Sequence, residues 1–246
     1  EFDQRPELDR WILSELNSLI TNVDEYYNDY EPTKAARAIN SFVIDNLSNW
    51  YVRLSRRRFW KGDYEKDKIS AFQTLFDVLI NIAKLSAPIS PFFMDRLFID
   101  LSKNLNQRFS ESIHLEDFPV ADKSKIDKKL EEKVKYAQTI SSLTLSLRAK
   151  EKIKVRQPLS KILIPVNSSN QKEIINSISD EIKREVNVKK IEFLEGESDL
   201  LVKSIKPNFK KLGPTYGRYM KEITNLTNSL DNSSILSLEK TGKIDL

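Results

Sequence analysis

From Glu7 to Lys61 the chain contains one proline, Pro32, and no glycine. So long a run without helix breakers, with apolar residues recurring three and four apart, constrains the fold more than any other feature. In "ELDRWILSELNSLITNVDEYYND", Leu8, Trp11, Ile12, Leu16, Leu19, Ile20 and Val23 share one helical stripe. "YEPTKAARAINSFVIDNLSNWYVRLSRRRFW" starts on Pro32 and Thr33, a helix-opening pair, and is predicted to run as one helix until Gly62. "DKISAFQTLFDVLINIAKLSA" is a third helix, stopped at Pro88 and Pro91, and "FFMDRLFIDLSKNL" a fourth. Short connections between consecutive helices predict an antiparallel bundle.

The polar stretch "SESIHLEDFPVADKS" interrupts this pattern and is expected to mark a boundary. A long helix follows, with Ile126, Leu130, Val134, Ala137, Ile140 and Leu147 near one face. Beyond residue 152 the period changes. "KIKVRQPLSKILIPV" reads as extended around Pro158 and Pro165, "QKEIINSISDEIKREVN" as a helix through Ile174, Ile178 and Ile182, and "VKKIEFLEG" as a strand. "YGRYMKEITNLTNSL" is helical again, and the tail "SLEKTGKIDL" reads as a last strand. The expected fold is mainly α: a helical bundle over residues 1–120, a connecting helix over 121–152 and a small α/β domain over 153–246.

The chemistry available is narrow. No cysteine is present, so disulfides and thiolate metal sites are both excluded, and a reducing cytoplasm fits. His114 is the only imidazole, and its place beside a proline-ended loop suggests packing or hydrogen bonding rather than catalysis. The five glycines are too dispersed for a phosphate-cradling loop. No catalytic residue and no metal ligand set can be named, so a free-standing enzyme is disfavoured and a binding protein expected. The opening "EFDQRPELDR" is neither a leader nor a membrane segment, and its lack of methionine suggests a piece of a longer protein.

A net charge of +4 permits a polyanionic partner without requiring one, so the position of the charge matters more than its sum. It concentrates in "NLSNWYVRLSRRRFW", Asn46 to Trp60, where four arginines alternate with four aromatic rings. At 100° per residue, Val43, Leu47, Trp50, Tyr51 and Leu54 form a core face. Asn46, Asn49, Arg53, Arg56 and Trp60 form the adjacent ridge, with Arg57 beside it. Guanidiniums pair with phosphate and stack on bases, amides read base edges, and rings accept unstacked bases. Two other basic segments qualify: one with Lys154 and Arg156, and one from Lys203 to Lys221. In the latter, Lys206, Lys210, Lys211 and Arg218 interleave with Phe209, Tyr216 and Tyr219 around a Gly213-Pro214 turn. The competing reading is a helical scaffold or protein-docking module whose arginines are all spent on internal ion pairs.

Six motifs, "DRWILSEL", "NWYVRLSRRRFW", "APISPFFMD", "HLEDFP", "KVRQPL" and "VKSIKPNFKKLGPTYG", resemble in type and order the C-terminal third of isoleucyl-tRNA synthetases. The first four are shared more loosely with the valyl, leucyl and methionyl enzymes, so the equivalent region of a valyl- or leucyl-type enzyme is the nearest alternative. The resemblance implies a helical anticodon-binding domain of a class I synthetase followed by a C-terminal appendage. It also implies isoleucine tRNA as partner, with no role for DNA or membrane. The parent would use ATP and Mg²⁺ to charge its tRNA, with an editing domain because one methylene gives only about 1–3 kcal/mol of discrimination. The family's two ATP-handling signatures and its editing domain are absent from the residues at hand. This stretch is therefore expected to bind tRNA with no cofactor and without charging it. Its contacts are expected from Asn46, Asn49, Arg53, Arg56, Arg57 and Trp60, and from Lys154, Arg156, Lys206, Lys210, Lys211, Tyr216 and Arg218.

Overall fold

The computed structural model describes residues 2–60, 65–103, 109–166, 168–195, 205–230 and 232–243. Two compact units result: Glu1–Ser160 with Glu173–Lys190, and Lys161–Lys172 with Ile191–Leu246. Helices dominate both, and the described strands form one two-stranded parallel sheet.

In the first unit, α1 (Glu7–Asn28) is the central element and packs against α2 (Pro32–Ser41), α4 (Lys66–Ser86) and α6 (Lys128–Lys150). Its predicted stripe is buried from Trp11 to Val23, with Leu8 half-buried, and four polar residues, Asp9, Ser14, Asn17 and Ser18, are buried too. Buried polar groups are tolerated only with partners, and each has them. Ser14 and Ser18 both donate to the Glu131 carboxylate, at 2.6 and 2.7 Å. Asn17 accepts the Asp122 N–H at 2.8 Å, and Ser14 accepts that of Asp127 at the same distance. Asp127 in turn caps α6 by accepting the Leu130 N–H. A second apolar cluster joins α4 to α5 (Pro91–Ser102) through Ile80, Ala83, Phe98 and Ile113. Among described helices, α4 alone is long and apolar enough to cross a membrane, and here its Val78, Ile82 and Leu85 are core residues.

The helix predicted to run unbroken from Pro32 does continue, but its winding changes. Residues Phe42–Val52 are wound more widely, closing i+5 rather than i+4 bonds, before a turn at Ser55 and a short α3 (Arg56–Trp60). Each wide turn takes in one more residue, so the burial phase drifts from a 100° wheel. Leu47, Trp50 and Tyr51 are buried as expected, but Phe42 is inside where Val43 was expected, and Val43 is only half-buried. The next inward position is Ser55, and Leu54 is 36% exposed. Gly62 lies outside the described residues.

In α6 the winding is regular, and the buried phase through Leu130, Val134, Ala137 and Ser141 leads to Arg148 rather than to the exposed Leu147. β1 (Leu159–Val166) and β2 (Val188–Glu195) match the two extended segments. The helix expected between them breaks at Ile178 into α7 (Ser169–Ser177) and α8 (Ser179–Val186), with Ile175 rather than Ile174 fully inside.

In the second unit, Gly213-Pro214 is no turn. Asn208, whose side chain accepts the Lys211 N–H at 3.2 Å, starts α9 (Phe209–Tyr216) early enough to include both residues. α10 (Met220–Ser229) follows as expected. The first half of the predicted last strand, residues 237–241, is instead the end of α11 (Asn232–Thr241), in which Ile235 and Leu238 recur at helical spacing. Residues 244–246 of that predicted strand lie outside the described residues.

Candidate nucleic-acid interface

The four arginines between Asn46 and Trp60 divide between two tasks. Arg58 turns inward. Its Nη1 and Nη2 donate to the Asp9 carboxylate at 2.6 and 2.9 Å, and its Nε donates to Asp67 at 3.0 Å. Asp9 is 0% exposed and also accepts from Tyr51 Oη at 3.0 Å and Ser70 Oγ at 2.8 Å. Burial works against the Arg58 charge, but hydrogen bonds to Asp9 and Asp67 overcome it and hold the guanidinium protonated more firmly than usual. Burial, reinforced by the Asp9 charge, pushes the Tyr51 phenol well above its ordinary value. An acid inside an apolar stripe demands a cation, and Asp9 beside Leu8 and Trp11 carried that signal.

Arg53 is shared. Its Nε donates to the Asn49 carbonyl at 2.8 Å, its guanidinium ion-pairs with Glu185 of α8, and it lies 6.0 Å from the Trp50 ring centroid. The Glu185 side chain is only 9% exposed, so this pair anchors α8 beside the wide-wound stretch. Arg56 and Arg57 are exposed, and neither has a hydrogen bond or ion pair among the described residues. Trp60 is 80% exposed. Asn49 is exposed too, but Asn46 is half-buried with both ends of its amide engaged: Nδ2 donates to Glu15 at 3.2 Å and Oδ1 accepts from Gln138 at 3.1 Å.

Two grooves flank Trp50 and Arg53, which line both. The first, about 700 Å³, has an apolar floor of Leu8, Leu54, Val134, Ala137 and Ile178 and a rim that includes Arg56, Arg57 and Arg184. The second, about 620 Å³, mixes Trp50, Leu143 and Leu145 with more polar side chains, Asn49, Lys135, Gln138, Thr139 and Ser142 among them. Lys135, Gln138 and Arg184 escape a reading of the sequence because the wheel of one helix says nothing about which neighbour faces it.

Lys154 and Arg156 are exposed on a loop that is built rather than slack. The buried Arg148 donates to the carbonyls of Lys154, Gln157 and Asn187 at 3.2, 3.1 and 3.0 Å, and Asn187 Nδ2 donates to the Val155 carbonyl at 2.9 Å. In the second unit, Lys206, Lys210, Lys211, Tyr216 and Arg218 are all exposed on and around α9, with Phe209 and Tyr219 exposed among them. The first residue of that segment, Lys203, lies outside the described residues. His114 is exposed, and among the described residues no group of three or more His, Cys, Asp or Glu could hold a metal ion.

Free guanidiniums, a projecting indole and a groove lined by amides match the chemistry of single-stranded nucleic acid. Comparison with known proteins agrees in kind. The chain is 53% identical to an isoleucine–tRNA ligase of Cytophaga hutchinsonii over 96% of its own length, and 52% identical to that of Porphyromonas gingivalis over 98%. It is 37% identical to that of Thermus thermophilus over 90%. In each case it spans about a fifth of the relative's length, 21%. The family described as the anticodon-binding domain of tRNA ligase matches residues 9–163, a span that runs without a break through the boundary expected near residue 120. The chain belongs to the family of anticodon-binding domains of tRNA ligases.

Proposed function

We propose that this chain holds the anticodon stem-loop of isoleucine tRNA, as the anticodon-binding part of an isoleucine–tRNA ligase working in the cytoplasm. One observation carries the reading. Arg56, Arg57 and Trp60 are exposed beside a groove, and the two arginines lack partners among the described residues. Loop bases of RNA are unstacked and can be splayed onto such side chains, which duplex DNA does not offer. Asn49, Lys154 and Arg156 would add contacts from the first unit, and Lys206, Lys210, Lys211, Tyr216 and Arg218 from the second. The helices up to residue 120 would form an antiparallel bundle of the class I type, with α6 as a connecting helix and 153–246 as the appendage. The short connections and the central place of α1 support that arrangement. In the intact enzyme, ATP, Mg²⁺, the catalytic domain and the editing domain would act elsewhere in the chain.

The scaffold reading also draws on specific observations, since Arg53 and Arg58 are both in ion pairs. Fluorescence anisotropy against isoleucine tRNA and an unrelated tRNA, at two salt concentrations, separates the two readings. On the RNA reading, Arg56→Ala or Arg57→Ala weakens binding and flattens the salt slope by about one phosphate's worth. Trp60→Ala removes stacking of about 1–3 kcal/mol with little change in slope. Binding unaffected by all three would sink the reading.

A further inference from the structure

A chain of amides leads from a half-buried acid to the second groove. Glu15 on α1 accepts from Asn46 Nδ2 at 3.2 Å, and Asn46 Oδ1 accepts from Gln138 Nε2 at 3.1 Å. Gln138 lines the groove. An ionised carboxylate accepts only, so the Asn46 amino group must point at Glu15 and its oxygen at Gln138. The Gln138 amino group must then point back at Asn46. What remains for the groove is the Gln138 oxygen and one N–H, in a fixed order. Turning this amide by 180° would set its oxygen against the oxygen of Asn46.

That order matters because a free glutamine amide is ambivalent. Adenine and cytosine carry an exocyclic N–H donor next to a ring-nitrogen acceptor. Guanine and uracil carry an exocyclic oxygen acceptor next to a ring N–H donor. An amide able to turn pairs with either kind, and an amide held one way pairs with only one when the base is also held in place, since uracil could otherwise shift to offer its O2 beside N3–H. We propose that Gln138 reads one unstacked base of the bound RNA as amino or keto, with Asn46 and Glu15 as positioning residues that fix the direction of its amide. This rests on the tRNA-binding reading above. It also recasts Asn46, which the sequence suggested as a direct contact, as a link behind one.

The state of Glu15 governs the relay. Burial first, and then the Glu131 carboxylate, raise its pKa to about 7, while the Trp11 side chain of the same helix and then Lys128 and Lys135 of α6 pull it down. Asn46 is its hydrogen-bond partner from the wide-wound stretch. Once protonated, Glu15 can donate to the Asn46 oxygen, and both amides are free to turn. Discrimination should therefore be sharp above about pH 7 and blunted below it.

The test uses the full chain and a panel of isoleucine tRNA transcripts. In each transcript, one anticodon-loop base is exchanged within its ring class, adenine for guanine or cytosine for uracil and the reverse. At one position the exchange should weaken wild-type binding about tenfold or more at pH 8. Glu15→Gln and Gln138→Ala should each reduce that ratio to less than about threefold. Lowering the pH from 8 to 6 should shrink the wild-type ratio and leave that of Glu15→Gln unmoved. Melting temperatures of both variants report whether the fold survives. Robust wild-type binding in which no exchange penalty responds to either variant overturns the inference and leaves the tRNA reading standing. Failure of the wild type to bind overturns both.

Discussion

Arg56, Arg57 and Arg58 are consecutive in sequence and opposite in role. Removing one partner of a buried ion pair strands the other, at a cost of about 3–5 kcal/mol. Arg58→Met should therefore lower the unfolding free energy by about that much in urea titrations, because it leaves the fully buried Asp9 with only Tyr51 and Ser70. Arg57→Ala, on the exposed side of the same helix, should change stability by less than about 0.5 kcal/mol. A second residue-scale prediction follows from Glu116. Its hydrogen bond from Lys84 Nζ at 2.8 Å and then the Ser110 N–H at 2.7 Å hold its pKa down at about 2. A depressed carboxylate contributes stability that is complete above its ordinary pKa of 4.5 and lost as the pH falls through its folded value. Acid unfolding between about pH 4.5 and 2 should thus lose part of its slope in Lys84→Met. An unchanged acid limb in that variant would mean the pair adds nothing.

At the scale of the element, most helices were legible, and their faces less so. α1 carries its pattern in a run of regular α turns, and its stripe reads directly from the sequence. Phe42–Val52 does not, since its wider winding moves Leu54 outward and Ser55 inward, and a wheel of fixed pitch cannot follow. Arg148 escaped for another reason: its purpose is to satisfy carbonyls of residues up to 39 positions away, which no local pattern reveals. Arg148→Met should leave those carbonyls unpaired, costing about 1–3 kcal/mol. It should also speed amide exchange at Ile153, Gln157 and Leu159, whose N–H groups bond within the same loop and strand edge. Exchange at those three sites unaltered in the variant would show that the loop holds without its arginine.

For the whole molecule, the candidate interface was visible as a region, while the assignment of single residues depended on packing. Composition located the arginines and rings. Only the fold could show that Arg58 and Asn46 are spent internally, and that Gln138 and Lys135 of α6 face the same groove as Asn49. The proposed division of labour in a longer enzyme carries its own expectation. The 246-residue chain should show no isoleucine-dependent ATP–pyrophosphate exchange, and exchange above background from a pure preparation would contradict that division.

The bonds from Ser14 and Ser18 to Glu131 also set a timetable for synthesis. The α1 hydroxyls emerge from the ribosome 117 and 113 residues before the carboxylate that receives them. At about 5–20 residues per second, the first helix waits roughly 6–23 seconds for that partner, and its Asp9 waits a shorter time for Arg58. During that interval the apolar stripe of α1 stays uncovered while its polar groups bond only to water, the kind of nascent chain that chaperones shield. A pause in translation before residue 131 would prolong that exposure, and faster elongation through α6 would shorten it.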